Sequence, residues 1–260
     1  MDTDVQSFAV ANLRRRPEVV EAGGFVAGFD PTTDSPYINY ATPLPGARPG
    51  PRDVAALVTA FQERGLTPRL EFAPDAAPEA EPALRRAGFG TEAVHTYLVC
   101  TPHTLTVPPA GGPAVRTPRT DEEYAAVDAA QSEAFGGVFP PSPEGAARLR
   151  RMQEGGGAVR FVPESEDAED AENAGGDGCA GAACCSAPAV GTAELSGVAT
   201  RPACRGRGVA AAVTAAVTGA MFARGARTVW LEFSGEGSRR VYERVGFRPR
   251  GTRLYLVLGG

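Results

Sequence analysis

The chain has 260 residues, 43% apolar and 22% charged, enough for one large or two modest soluble domains with a real core. All 26 basic residues are arginine, which excludes Schiff-base, P-loop and kinase-type lysine chemistry, and two histidines, His95 and His103, are too few for a His-rich zinc site. The net charge of −5 is uneven: residues 179–260 carry eleven arginines against Glu194, Glu232, Glu236 and Glu243, a net of +7, leaving −12 on residues 1–178, and the basic part suits an anionic ligand.

From the N-terminus, Met1-Asp2-Thr3-Asp4 offers no basic start and no apolar signal core, and no apolar run reaches membrane-spanning length. A cytoplasmic location without membrane contact is the expectation. Ala41-Thr42 precedes Pro45-Gly46-Ala47-Arg48-Pro49-Gly50-Pro51-Arg52. Arg69-Leu70-Glu71-Phe72 reads as a strand, a helical stretch follows to Arg85-Arg86-Ala87-Gly88-Phe89, and Tyr97-Leu98-Val99 is a further strand. The same order recurs near the C-terminus as Trp230-Leu231-Glu232-Phe233, Arg239 to Val245, Gly246-Phe247 and Tyr255-Leu256-Val257. Ala41-Thr42 mirrors Ala199-Thr200, and Arg64-Gly65 mirrors Arg224-Gly225. Two halves of strand, helix, strand, helix, strand are therefore expected, over residues 1–107 and 114–260, joined by a Pro/Gly linker at 108–113.

In the second half Thr120 and Glu123 form a capping box for a helix reaching about Phe135. A second helix spans Pro141 to Glu154, and Ala158 to Val162 is a strand. Residues 164–178 hold seven acids and no base and read as a solvated, disordered insertion at a hairpin tip. Strands follow over Cys179 to Ser186 and Gly191 to Thr200. Five cysteines, two of them neighbours, fit a reduced compartment. Cys179, Cys184 and Cys185 lack histidine partners and metal-ligand spacing, and Cys204 reads as a packing residue, so no metal is expected. His95 and His103 are expected in surface or packing roles.

Arg205-Gly206-Arg207-Gly208-Val209-Ala210 lies between the strand ending at Thr200 and a helix to about Arg224 whose Val209, Val213, Val217 and Met221 keep a four-residue period. The first turn of a helix leaves N–H groups unpaired, glycines let an anion approach them, and two arginines add charge. This pattern suits a diphosphate, while the P-loop Lys-Ser/Thr and the dinucleotide spacing are missing.

With the following strand, the helix Glu236 to Val245 and Gly246-Phe247, residues 114–260 resemble the GCN5-related N-acetyltransferase (GNAT) superfamily. Arg205, Gly208 and Ala210 stand at its acyl-CoA signature positions, and Tyr242 with Gly246-Phe247 matches its last helix. The repeat makes residues 1–107 resemble a degenerate copy, whose prolines delete donors where phosphate would need them. The resemblance implies a duplicated α/β (α+β) acyl-CoA N-acyltransferase fold, a mixed, mostly antiparallel sheet flanked by helices.

It also implies acetyl-CoA as co-substrate, held by Arg205, Gly206, Arg207, Gly208, Val209 and Ala210. Val198, Ala199 and Thr200 would run beside the pantetheine arm, and Ser234 stands where many members have Asn. A backbone N–H near Val198 would face the thioester carbonyl. Gly197 reads either as a bulge splaying this strand from its neighbour or as a close-packing position. Glu194, eleven residues before Arg205, is the implied general base, with an Arg-paired strand carboxylate as the bland alternative. Tyr242 is the implied acid toward the thiolate, with core packing as its alternative. Phe135, Val138 and Phe139 would wall the acceptor site.

The function implied is N-acetyl transfer to a small-molecule or protein amine by direct attack in a ternary complex. A non-catalytic acyl-CoA-binding or interaction module is the rival. Nucleic acid is not an expected partner, given 7% aromatic residues and no single basic run. The acceptor and the oligomeric state, homo-oligomer included, stay open.

Overall fold

The computed structural model describes residues 1–108, 111–138, 140–164, 178–233 and 235–259. The core of the acidic insertion, residues 165–177, lies outside them, as do Pro109 and Ala110 of the linker. The chain divides into two compact units, Met1–Tyr97 with Pro249–Gly260, and Leu98–Arg248. These units exchange the C-terminal strand relative to the sequence halves, because β10 (Arg248–Leu258) pairs antiparallel with β4 (Arg69–Phe72), Leu256 opposite Leu70.

The first unit begins with α1 (Asp2–Leu13), β1 (Glu18–Ala22) and β2 (Phe25–Phe29), for which the sequence patterns give no assignment. Then come β3 (Tyr40–Pro43), α2 (Pro51–Gln62), β4, α3 (Ala80–Arg86) and β5 (Phe89–Cys100). Strand order is β1-β2-β3-β4-β10-β5. All printed pairs are antiparallel except β3 with β4, which run parallel with Ala41 opposite Leu70. Phe25, Phe29, Leu57, Phe61, Leu70, Phe72, Leu84 and Leu256 fill its core.

In the second unit α4 (Asp121–Ala134) starts at the expected box: Thr120 Oγ1 accepts from Glu123 N at 3.3 Å, and Glu123 Oε2 accepts from Thr120 N at 3.1 Å. α5 (Pro143–Glu154) is capped by Ser142, whose Oγ accepts from Gly145 N at 3.0 Å. β6 (Ala158–Pro163) and β7 (Cys179–Cys185) form a hairpin that Glu164 N closes by donating to Gly178 O, so the insertion sits at its tip.

β8 (Thr192–Thr200), α6 (Val209–Ala223), β9 (Thr228–Glu232) and α7 (Glu236–Val245) follow, giving the strand order β9-β8-β7-β6. Val209, Val213, Val217 and Met221 are buried, as their spacing requires, and pack with Leu195, Val229 and Leu231. All five cysteines are buried and free, and no metal-holding group occurs among the described residues. No helix among them is long and apolar enough to cross a membrane.

Candidate active site

The parallel ladder of β8 and β9 stops early. Its pairs are Thr192↔Thr228, Ala193↔Val229 and Glu194↔Trp230, and among the described residues none continues beyond Glu194, although β8 runs on to Thr200. On its other edge β8 stays paired with β7 as far as Gly181↔Thr200. The departure from β9 coincides with a register shift: Ala182 opposes Ala199 but Cys184 opposes Ser196, so Gly197 and Val198 together face Ala183. Gly197 has φ +60°, and a Cβ there would collide with Gln131 Nε2 and lie 3.0 Å from Cys184 Sγ. Both readings of this glycine hold, since it is a bulge and a close-packing position. Gln131 of α4 fixes the bulge by donating from Nε2 to Gly197 O at 2.7 Å.

The splay opens into a cleft of about 970 Å³ lying within the second unit. Leu195 to Thr200 of β8, Glu232 and Phe233, and the inward face of α7 from Gly237 to Val245 line it. So do Arg205, Gly206 and Gly208 to Ala211. Gly206 and Gly208 adopt φ +80° and +81°, a region that favours glycine. A Cβ on Gly206 would meet nothing within 4 Å, and one on Gly208 only Pro113 Cδ at 3.9 Å. The turn is therefore not sealed by side chains.

The first intrahelical bond of α6 runs from Ala212 N to Gly208 O at 3.0 Å. The amides of Gly206 to Ala211 have no acceptor among the described residues, and no side chain caps the helix. These consecutive donors, with the helix dipole behind them, form an anion cradle facing the cleft. Arg205 lines the cleft, Arg207 is exposed outside its lining, and neither forms an ion pair among the described residues.

Val198, Ala199 and Thr200 line the cleft along the unpaired stretch of β8, and Thr200 Oγ1 is buried without a hydrogen-bond partner. Tyr242 lines it too. Its side chain is buried, its ring packs edge-on to Phe247 at 6.2 Å, and its hydroxyl has no partner among the described residues. Burial pushes the phenol up to about 12. Phe135, at the end of α4, lines the cleft and is 51% exposed, whereas Val138 is exposed but outside the lining. Phe139 and Ser234 lie outside the described residues.

Glu194 is half-buried at the last paired station of β8 and is not among the lining residues. Its main chain is engaged by Ser186, whose Oγ accepts from Glu194 N at 3.0 Å and whose N donates to Glu194 O at 2.9 Å. The carboxylate lining the cleft is Glu232, at the C-terminal end of β9. Ligands gather at the carboxyl ends of parallel strands, and this rule picks out Glu232 once β8 and β9 are known to be parallel. Gln131 carries no comparable sequence signal, because its partner is a backbone carbonyl 66 residues away.

Residues 126–247 match the acetyltransferase (GNAT) family. No curated protein matches the chain. Among solved structures, a GCN5-related N-acetyltransferase from Kribbella flavida is 24% identical, covers 100% of this chain and 96% of its own, and has a TM-score of 0.79. A tandem GNAT protein from the clavulanic acid biosynthesis pathway is 13% identical over 99% of this chain and 94% of its own, with a TM-score of 0.61. A GCN5-related N-acetyltransferase from Sphaerobacter thermophilus is 19% identical over 90% of this chain and 76% of its own, with a TM-score of 0.57. At these identities the likeness is one of fold, a mixed α/β architecture.

Proposed function

We propose that the second unit transfers an acyl group, acetyl in the simplest case, from acyl-CoA to a primary amine by direct attack. The observation that carries this reading is the run of acceptor-free amides from Gly206 to Ala211, opening onto a strand edge without a ladder partner. The amides and Arg205 would hold the diphosphate. The free edge of β8 from Val198 to Thr200 offers main-chain pairing to the amides of a pantetheine arm. The coenzyme supplies an activated thioester.

Glu232 would accept the proton that an ammonium acceptor sheds on becoming nucleophilic. The new C–N bond forms as the C–S bond breaks. Tyr242, protonated at any working pH, would present its O–H to the sulfur as charge develops there, and the products are an amide and a thiol. Glu194 is the second candidate base, one residue from the cleft. Ser234 would complete the pantetheine contacts, and Phe135, Val138 and Phe139 the acceptor wall.

We also read the first unit as a degenerate copy. If Leu70 of its Arg69-Leu70-Glu71-Phe72 matches Leu231, the pair Ala41↔Leu70 puts Ala41 where Leu195 stands, one step past Glu194↔Trp230. Thr42 then matches Ser196 and Pro43 matches Gly197. This register lies four residues from the Ala41-Thr42 to Ala199-Thr200 match, which side-chain similarity alone suggested. A second correspondence supports it: Gln6 of α1 donates to Pro43 O at 2.6 Å, as Gln131 of α4 donates to Gly197 O at 2.7 Å.

The test is thiol release from acetyl-CoA with a panel of amines. Turnover with at least one amine, reduced in Glu232→Gln and Tyr242→Phe, is the expected outcome. Acetyl-CoA binding without turnover on any amine would leave the non-catalytic module standing instead.

A further inference from the structure

We infer that Thr106–Pro108, in the segment that joins the two sequence halves, acts with Arg244 as the subsite for the adenosine 3′-phosphate end of the coenzyme, an inference that rests on the acyl-CoA reading above. The Pro/Gly composition here suggests a plain tether. Within the second unit the segment is instead fastened down. Thr106 N donates to Val245 O at 2.9 Å, and Leu105 packs against the core of this unit. Gly246, at φ +102°, stands so close to Thr104 O that any Cβ there would collide with it. Further along, Pro113 Cδ is the atom nearest to Gly208 at the anion cradle. The segment thus meets the end of α7 on one side and the diphosphate turn on the other.

Thr106, Val107 and Pro108 line the cleft, and Val107 is 71% exposed. Arg244 lines it from α7. Its Nε donates to Arg240 O at 3.1 Å, and its guanidinium forms no ion pair among the described residues. Arg244 also borders a shallow depression with Arg240, Glu243 and Arg248, where Glu243 is already engaged by Arg239 at 2.8 Å. A basic surface therefore continues outward from the cleft at Arg244.

The thioester must lie in the strand splay and the diphosphate at Gly206 to Ala211. The rest of the coenzyme, a purine nucleoside bearing a phosphomonoester, has to leave the turn away from the splay. Val107 and Pro108 offer that purine an apolar surface to pack on. Arg244 offers a forked donor to the phosphomonoester.

The experiment is calorimetric titration of the full chain with acetyl-CoA and with 3′-dephospho-acetyl-CoA, in the wild type, Arg244→Gln and Val107→Asp. The wild type should bind the dephospho form roughly fivefold more weakly, the upper range for an exposed charge pair. Arg244→Gln should bind both forms alike. Val107→Asp should weaken both while leaving thermal unfolding unchanged, since the side chain is exposed. Equal wild-type affinity for the two forms overturns the inference and leaves the acyl-CoA reading intact, as does an Arg244→Gln effect confined to the KM of the amine. Failure of the wild type to bind acetyl-CoA at all overturns the acyl-CoA reading itself.

Discussion

Thr42 and Ser196 stand at matching stations of two parallel strand pairs, yet one closes a gap and the other lines a cleft. In the first unit Thr42 Oγ1 donates to Glu71 O on β4 at 2.7 Å. Gln6, 1% exposed, donates from Nε2 to Thr42 Oγ1 at 2.7 Å and to Pro43 O, and accepts from Ala73 N at 2.9 Å. The space between β3 and β4 is filled by protein hydrogen bonds.

In the second unit the corresponding glutamine bonds only to the bulge, and the strand edge stays available. The two carboxylates diverge in the same way. Glu71 is held by Arg69 at 2.5 Å and Arg253 at 3.3 Å, whereas its counterpart Glu232 lines the cleft. The loops differ too. Gly46 N donates to Ala76 O, Ala47 N to Leu44 O and Gly50 N to Asp53 Oδ2, while Pro45, Pro49 and Pro51 have no N–H. One unit spends its donors internally, and the other presents them.

The largest effect should come from the carboxylate. Glu232→Gln is expected to lower kcat by roughly 10²–10⁴, the range for a positioned base, and Glu194→Gln to change it little, as read by thiol release. A reversed order would return the base role to Glu194. Next, Ala210→Pro imports into α6 the device of α2, whose first turn begins with Pro51. Proline is tolerated there, so thermal unfolding should hold while the Kd for acetyl-CoA rises roughly tenfold for one lost charge-assisted bond. Unchanged Kd would mean the amides are not the cradle.

Gln6→Ala should cost the fold about 2–3 kcal/mol in urea unfolding, because buried partners lose their bonds. Calorimetry should still show one coenzyme per chain in both forms. A second binding event would break the contrast between the units. The smallest effect concerns Tyr242. Its phenol near 12 in the folded chain lies above the ordinary value near 10, so the folded state holds this proton more tightly. Stability contributed by the group is present below pH 10 and is lost as pH rises toward 12. Tyr242→Phe should make the alkaline fall in stability shallower.

Local physics wrote the legible part of this protein into its sequence. The Thr120–Glu123 box, the valine period of α6, the glycines at 206 and 208, and the order of strands and helices after residue 114 all depend on neighbours a few residues apart. So did the placing of Tyr242 on a helix that meets the cleft. Tertiary structure alone decided which groups meet across the chain. The exchange of β10, the register of β3 on β4, the Gln131 and Gln6 bonds, and the choice of Glu232 over Glu194 for the cleft lining rest on pairings between distant residues. A one-residue change of register turns a strand side chain to the opposite face, and no local pattern fixes which side of a splay a carboxylate will occupy.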